Sequence, residues 1–323
     1  MIYFTVLLIV AAFVLPAQSA MKKLGQTGLK FLSIDMTARA AAMGSATLVA
    51  GGGAESVFIN PAGIAEIPGT VDFFVGQTSW IADITYNSLG LVYKMENIGT
   101  FGLSVRYSDY GEIVGAQVAP TTVGYEKTGD VDVGAYSIGL SYARYLSTKF
   151  IVGGQVKMIH QSLGESLLND ETTVQNELTN VAFDFGTIFY PGWKSFRFGM
   201  SVRNFSEELK YQKESFQIPL SFTIGVAMDV LDLMGEHKDP LLISVDAIHP
   251  RDYAERLHLG AEYVLMDMLA LRVGYKTNYD VEGLTAGAGF QVDVTGFKLN
   301  IDYAYTDVEF FDTVNRFTVG FSF

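Results

Sequence analysis

The closing stretch of the chain, residues 313–323, constrains the fold most: Phe317, Val319, Phe321 and Phe323 fall on one parity, while Arg316, Thr318, Gly320 and Ser322 fall on the other. Side chains point to opposite faces of a β-strand with period two, so such a segment reads as a strand with one apolar and one polar or small face. The same split recurs upstream. Phe101, Leu103, Val105 and Tyr107 oppose Gly102, Ser104 and Arg106, and Phe297, Leu299, Ile301, Tyr303 and Tyr305 oppose Lys298, Asn300, Asp302 and Ala304.

Reading the parity from residue 70 onward gives about fourteen strands, the first near 70–79 and the last at 313–323. Their links alternate in length. Those around 95–98, 146–148, 191–193, 266–267 and 294–296 are tight, whereas those around 109–131, 163–177, 205–217, 277–282 and 306–312 are longer. The links at 231–239 and 80–83 depart from this alternation, one long among the tight set and one short among the long set. Hydrophobic residues make up 49% of the 323 and charged residues only 18%, below the roughly 25 to 35% of a typical water-facing surface. Past residue 20 no apolar run is long enough for a membrane helix. A membrane-spanning barrel reconciles these observations, because lipid-facing and lumen-facing positions alternate and short turns lie on the periplasmic side.

The expected fold is therefore all-β: a transmembrane antiparallel β-barrel of about 14 strands over residues 70–323, located in the cell outer membrane. A Lys or Arg on the lipid face near the bilayer midplane costs roughly 2 to 4 kcal/mol, so the apolar parity must point outward. Arg106, Lys157, Asp184, Arg197, Arg203, Glu262, Arg272, Asp293 and Asp302 then share the lumen. Lipid is the first expected partner. Phe321 and Phe323 close the last strand in a manner similar to the signal read by the barrel-assembly machinery, a second one. The net charge of −13 argues against nucleic acid. The absence of cysteine leaves no disulfide, thiolate metal site or thiol nucleophile.

Ile2 to Leu15 is apolar, Pro16 ends it, and Ala17-Gln18-Ser19-Ala20 offers small residues for cleavage, so residues 1–20 read as a signal peptide, although no Lys or Arg precedes the apolar core. Residues 21–69 do not alternate and are expected to form a periplasmic or plug segment. Within it Thr37 to Ala46 is dense in small residues and favours a short helix or packed turn. Gly51-Gly52-Gly53 reads as a flexible connector, and Asn60-Pro61-Ala62-Gly63 as turn chemistry. A barrel of this size leaves a lumen that something must fill. Inward glycines such as Gly102, Gly153, Gly225 and Gly287 either admit close backbone approach or relieve strand curvature.

The chain resembles the PorV/PorQ family, within the broader FadL-like barrels, from about residue 28 to the C-terminus. The residues that carry the resemblance are Phe31-Leu32, Ala38-Arg39-Ala40-Ala41-Ala42-Met43-Gly44, Asn60-Pro61-Ala62-Gly63, Trp80-Ile81-Ala82-Asp83, Tyr107 to Glu112, Leu259 to Tyr263, Leu271 to Lys276 and Asp302 to Tyr305. One departure is Gly51 to Glu55, where relatives often carry an acidic pair. The resemblance implies a barrel with an N-terminal plug, and one of two jobs: passage of hydrophobic small molecules, or type IX secretion in contact with cargo proteins. Arg39, Met43, Gly44, Asn60, Pro61 and Gly63 are the expected structural determinants of the plug. Arg106, Arg256, His258, Glu262, Arg272 and Asp302 are the expected polar network of the lumen.

Catalysis is not expected, and neither is a cofactor or a metal. An outer-membrane lipid-modifying enzyme would need His and Ser oriented by a third polar group. His160 and His249 lie near the long-link side, His237 in a tight-link turn, and His258 on the inward parity beside Glu262.

Overall fold

The structure is a computed structural model that describes residues 25–167, 172–235, 237–309, 311 and 313–323. The expected signal peptide, residues 1–20, lies outside the described residues. In chain order the strands are β1 (Val71–Ser79), β2 (Thr85–Met95), β3 (Gly99–Asp109), β4 (Val114–Val118), β5 (Tyr125–Asp130) and β6 (Val133–Ser147). There follow β7 (Phe150–Leu167), β8 (Thr173–Phe189), β9 (Arg197–Phe205), β10 (Leu209–Lys210), β11 (Ser215–Phe216) and β12 (Ser221–Asp229). The last six are β13 (Leu241–Pro250), β14 (Arg256–Leu265), β15 (Leu269–Lys276), β16 (Glu282–Val294), β17 (Phe297–Val308) and β18 (Val314–Ser322).

Fourteen of these close into one antiparallel barrel, while β4 pairs with β5 and β10 with β11 as separate hairpins in the long links. Closure joins β1 to β18, from Asp72 opposite Ser322 to Ser79 opposite Asn315. An even strand number brings both ends of the barrel chain to the short-turn rim, where the Thr70 N–H donates to the Phe323 carbonyl at 2.6 Å. Among the described residues no helix is long and apolar enough to cross a membrane.

The parity falls as the sequence requires. Along β3, Phe101 and Tyr107 are exposed on the outer surface, while Ser104, Arg106 and Ser108 are buried inside. Lys157, Asp184, Glu262 and Asp302 are likewise buried, whereas Leu140, Phe185, Leu271 and Tyr303 stand outside. A continuous exterior of aliphatic and aromatic side chains is far larger than the patches that water-soluble monomers tolerate. Three links differ from the sequence expectation, the 205–217 link by the short β10–β11 hairpin. Most of 163–177, expected as a loop, extends the β7–β8 hairpin beyond the rest of the wall, and 109–131 contains the β4–β5 hairpin. Polar side chains on both faces hide a strand that leaves the apolar belt.

The interior is occupied by the segment from Leu29 to Ile67, whose Phe31, Met43, Val49, Val57 and Ile64 are almost wholly buried. It enters at the long-link rim, where the Gly28 N–H donates to the Gln217 carbonyl at 3.0 Å, and leaves at the short-turn rim through Thr70. Its one α-helix, α1 (Ala38–Ala42), is capped by the Thr37 hydroxyl, which accepts from the Ala40 N–H. Alanines suit it because it lies against β15 to β18 with no room for larger side chains: a Cβ added at Gly287 would come 2.6 Å from that of Ala42.

Candidate functional site in the lumen

Arg39 leaves α1 toward the wall and donates from Nε and Nη2 to the two carboxylate oxygens of Glu262 at 2.8 and 2.7 Å, with a further bond to the Ala50 carbonyl at 2.9 Å. Glu262 also accepts from Arg272 Nε at 2.5 Å, and Arg272 reaches on to Asp302. The register makes this chain possible, since Glu262 on β14 sits opposite Arg272 on β15. The network therefore ties the lumenal segment to three strands of the wall. It borders a cavity of about 280 Å³ near the short-turn rim, together with Glu55 and Asp72.

Other anchors are built from backbone. Asn60 accepts from the Ala62 N–H and so caps the 3-10 turn Pro61–Glu66, with Pro61 at its first position. The Asn60 amide donates to the Leu48 and Thr187 carbonyls at 3.1 and 3.3 Å. Gly63 accepts from the Gly53 N–H at 3.3 Å, and a Cβ there would come 2.6 Å from Ser56 Oγ. Met43 is fully buried. Gly44 has φ of 61° and meets β15 so closely that a Cβ would lie 2.8 Å from the Tyr275 nitrogen. Gly51–Gly53, expected as a flexible connector, is instead a packed turn. A Cβ at Gly52 would come 2.4 Å from the Glu66 Cβ and 2.6 Å from the Gly63 carbonyl oxygen, so Gly52 supplies space, while Gly51 and Gly53 take φ of 152° and 117° that favour glycine.

Near the long-link rim the segment is held by a second set of charges. Lys276 donates to Asp35 at 3.0 Å and to Glu282 at 2.8 Å, Ser45 donates to Asp35 at 2.6 Å, and Arg316 Nε donates to the Asp35 carbonyl at 3.3 Å. Lys30 pairs with Asp252, and Arg106 Nη1 donates to the Phe31 carbonyl at 2.7 Å. Lys30, Asp35, Ser45, Asp252, Lys276, Glu282 and Arg316 border a cavity of about 320 Å³ that is also lined by Arg203, Trp80, Arg256, His258 and Tyr279. Across the lumen Lys157 bridges Asp184 and Asn204 at 2.6 to 2.8 Å, beside an irregularity in the β8–β9 register between Phe183 and Phe185.

The six polar residues expected to form one network thus divide. Glu262, Arg272 and Asp302 join Arg39. His258, which the sequence places beside Glu262, instead bonds Tyr279 through Nε2 at 2.9 Å, and Arg256 lies between the Tyr253 and Tyr279 rings at 4.3 and 3.8 Å. Four residues of strand span about 13 Å, which separates His258 from Glu262 along the same face. Phe321 stacks on Phe73 with ring centroids 5.0 Å apart, and Phe323, half exposed, packs on Phe297 at 5.8 Å.

Of the other histidines, His160 stacks on Tyr136 and His249 meets Glu255. In the link after β12, His237 Nε2 meets Asp229 at 2.6 Å, and these two with Asp232 bring potential ligand atoms within 4.8 Å of one another. Asp229 already accepts from the Leu231 and Leu241 N–H groups, and Asp232 from the Ser195 N–H, so the cluster reads as an anchor for the turn. Bonds to the Gly235 carbonyl and to Asp229 raise the His237 pKa. A raised folded-state pKa means the contribution is complete below the usual value of 6.5 and disappears as pH rises through the folded value. Amide exchange across 230–240, corrected for intrinsic rate, should accelerate between about pH 5 and about pH 8. In His237→Gln that acceleration should vanish; an identical pH profile in the variant would refute the anchor.

No family model matches the chain, and no curated protein matches it. Among solved structures it is similar to the Pseudomonas putida toluene transporter TodX, with a TM-score of 0.60 and 12% identity over 93% of this chain and 98% of that one. It is also similar to the Ralstonia pickettii toluene transporter TbuX, with a TM-score of 0.59 and 12% identity over 88% of this chain and 97% of that one. A Pseudomonas aeruginosa FadL homologue gives a TM-score of 0.53 and 10% identity over 93% and 99% of the two chains. At such identities the likeness is one of fold.

Proposed function

We propose that this chain is a non-enzymatic outer-membrane barrel that passes small molecules with apolar character, with residues 29–67 as its plug. The observation that carries the reading is a closed wall, apolar outside and polar inside, whose lumen holds a packed segment with a cavity toward each rim. The fold shared with toluene transporters supports it. Lipid around the wall and barrel-assembly machinery acting on Phe321 and Phe323 are the partners this reading requires.

The test is uptake of radiolabelled toluene by Gram-negative cells that lack their own hydrocarbon barrels. Cells expressing the chain should accumulate label faster, and the protein should fractionate with the outer membrane and migrate differently on gels before and after boiling. Uptake equal to that of cells without the chain would refute passage. A second reading, a type IX secretion adaptor, rests on the PorV/PorQ-like motifs and on the β4–β5 hairpin, which projects Val118 and Val123 into solvent. Co-purification with secreted cargo, and no toluene uptake, would favour it.

A further inference from the structure

The cavity at the long-link rim is poorly matched to a pure hydrocarbon. Nine buried side-chain polar atoms lack a hydrogen-bond partner among the described residues, and five of them belong to side chains lining this one cavity: Thr47, Ser221, Asp246, Arg256 and His258. Buried polar groups are nearly always paired, and covering unpaired ones with an apolar solute costs free energy. These atoms have almost no accessible surface of their own; their gathering here shows a lining built among polar neighbours, and the groups that can meet a ligand are the side chains that reach the cavity itself.

Its charge follows from which ions are already paired. Ten charged side chains line the cavity, five basic and five acidic. Lys30 is taken by Asp252, and Lys276 by Asp35 and Glu282 together. Among the described residues Arg203, Arg256 and Arg316 have no carboxylate within ion-pair distance. Asp246 and Asp280 are the remaining acidic groups; Asp280 has a partner of its own, and Asp246 Oδ2 accepts from the Leu48 N–H at 2.9 Å while its Oδ1 lies over Gly225, where a Cβ would come within 2.1 Å.

Position and orientation agree. Arg203 on β9 is opposite Ser221 on β12, Ser221 is opposite Pro250 on β13, and Arg256 on β14 is opposite Ile248. The four strands therefore present these groups on the same face near the rim, Arg256 two residues along β13 from the level of Arg203. The Arg256 guanidinium is held between two tyrosine rings, which occupy its faces and leave its terminal edge for an acceptor, while its Nε is enclosed. Leu32, Ile59, Trp80 and Ile248 supply the apolar remainder of the lining.

We infer that this cavity binds a compact organic acid, its anionic head between Arg203 and Arg256 and its apolar body toward Trp80. At about 320 Å³ the space is at the lower end of small-molecule sites, roughly 300 to 1,000 Å³, and suits a single ring or a short chain. The inference rests on the reading of the barrel as a solute conduit and names the class of solute that enters it.

The chain contains two tryptophans, and Trp193 lies in a short-turn link, so Trp193→Phe leaves Trp80 as the sole reporter inside the cavity. Full-length protein in nanodiscs is titrated with phenylacetate and with its neutral isostere phenylacetamide while Trp80 emission is followed. Phenylacetate should saturate the signal, phenylacetamide should bind roughly ten- to hundred-fold more weakly, and Arg256→Gln or Arg203→Gln should weaken the acid to a similar degree. Equal affinity for acid and amide, or no saturable response to the acid, overturns the inference; that comparison needs no arginine variant to fold. Unchanged acid affinity in both variants, each retaining the unboiled gel shift, overturns it as well. Toluene uptake scores the conduit reading separately: uptake without phenylacetate binding leaves passage standing and removes the acid site, whereas binding without uptake of either compound removes passage alone.

Discussion

Replacing Gly153 by valine should push the lumenal segment off the barrel wall and open a water-filled path through the lumen. Gly153 on β7 faces inward, and a Cβ there would lie 2.5 Å from the Pro61 carbonyl carbon and the Ala62 nitrogen. Its cross-strand partner on β8 is Gly186, where a Cβ would come 1.8 Å from Asn60 Oδ1. The pair forms a floor on which the capped turn Pro61–Glu66 rests by its backbone. Overpacking costs about 1 to 3 kcal/mol and occasionally more, and backbone on both sides leaves no side chain to rotate away. The wall is a closed hydrogen-bonded ring, so the lumenal turn is the part that yields. Planar-bilayer recordings should show higher conductance for Gly153→Val than for the parent, with a smaller rise for Gly153→Ala, while unboiled protein keeps its folded migration. Parent-like conductance together with unchanged protease resistance of residues 29–67 would show that the lumenal segment tolerates the intrusion.

That contact also marks where the sequence stops being informative. Inward glycines are visible from parity, but two physical reasons for a wall glycine, backbone approach and strand curvature, leave the same letter in the chain. Only the position of Pro61 decides for Gly153. The barrel was legible because lipid imposes one rule on every strand: Phe101, Leu103 and Tyr107 face out for the same reason as Phe317 and Val319. Where β7 and β8 rise past the apolar belt the rule lapses, and residues near Gln175 and Glu177 read as loop although they pair across the hairpin.

Charges inside the lumen were legible one at a time and not as partners. Asp35 and Lys276 are 241 positions apart, and nothing local in either segment signals the other. His258 and Glu262 share a strand and a face, which suggested one network, yet their separation along the strand assigns them to different rims. The arginines followed the same pattern. Arg39 and Arg256 were recognisable as inward groups, but only the structure shows that one is held edge-on by the Glu262 carboxylate and the other between two tyrosine faces.

Glu262→Ala should be the most damaging single change to the ion-paired end of the lumen. Glu262 is the acceptor shared by Arg39 and Arg272, and its loss leaves two guanidinium groups with, among the described residues, only Asp302 in ion-pair contact with either. Removing one partner of a buried pair costs about 3 to 5 kcal/mol because the other charge stays desolvated. Arg39 keeps some exposure toward the lower cavity, with 21% of its side chain accessible, which lets water recover part of the loss on that side. Arg272 is the more enclosed of the two at 7% and has no such relief. The temperature at which unboiled protein converts to its unfolded gel position should therefore fall clearly for Glu262→Ala and less for Glu262→Gln, which still accepts hydrogen bonds. Arg39→Met combined with Glu262→Met should cost less than the sum of the two single changes, since contacting charges couple by about 0.5 to 3 kcal/mol and an apolar pair removes the stranded cation. Strict additivity, or a conversion temperature unmoved by Glu262→Ala, would mean that the network does not fasten the lumenal segment to the wall and that the backbone contacts around Asn60 and Gly153 hold it alone.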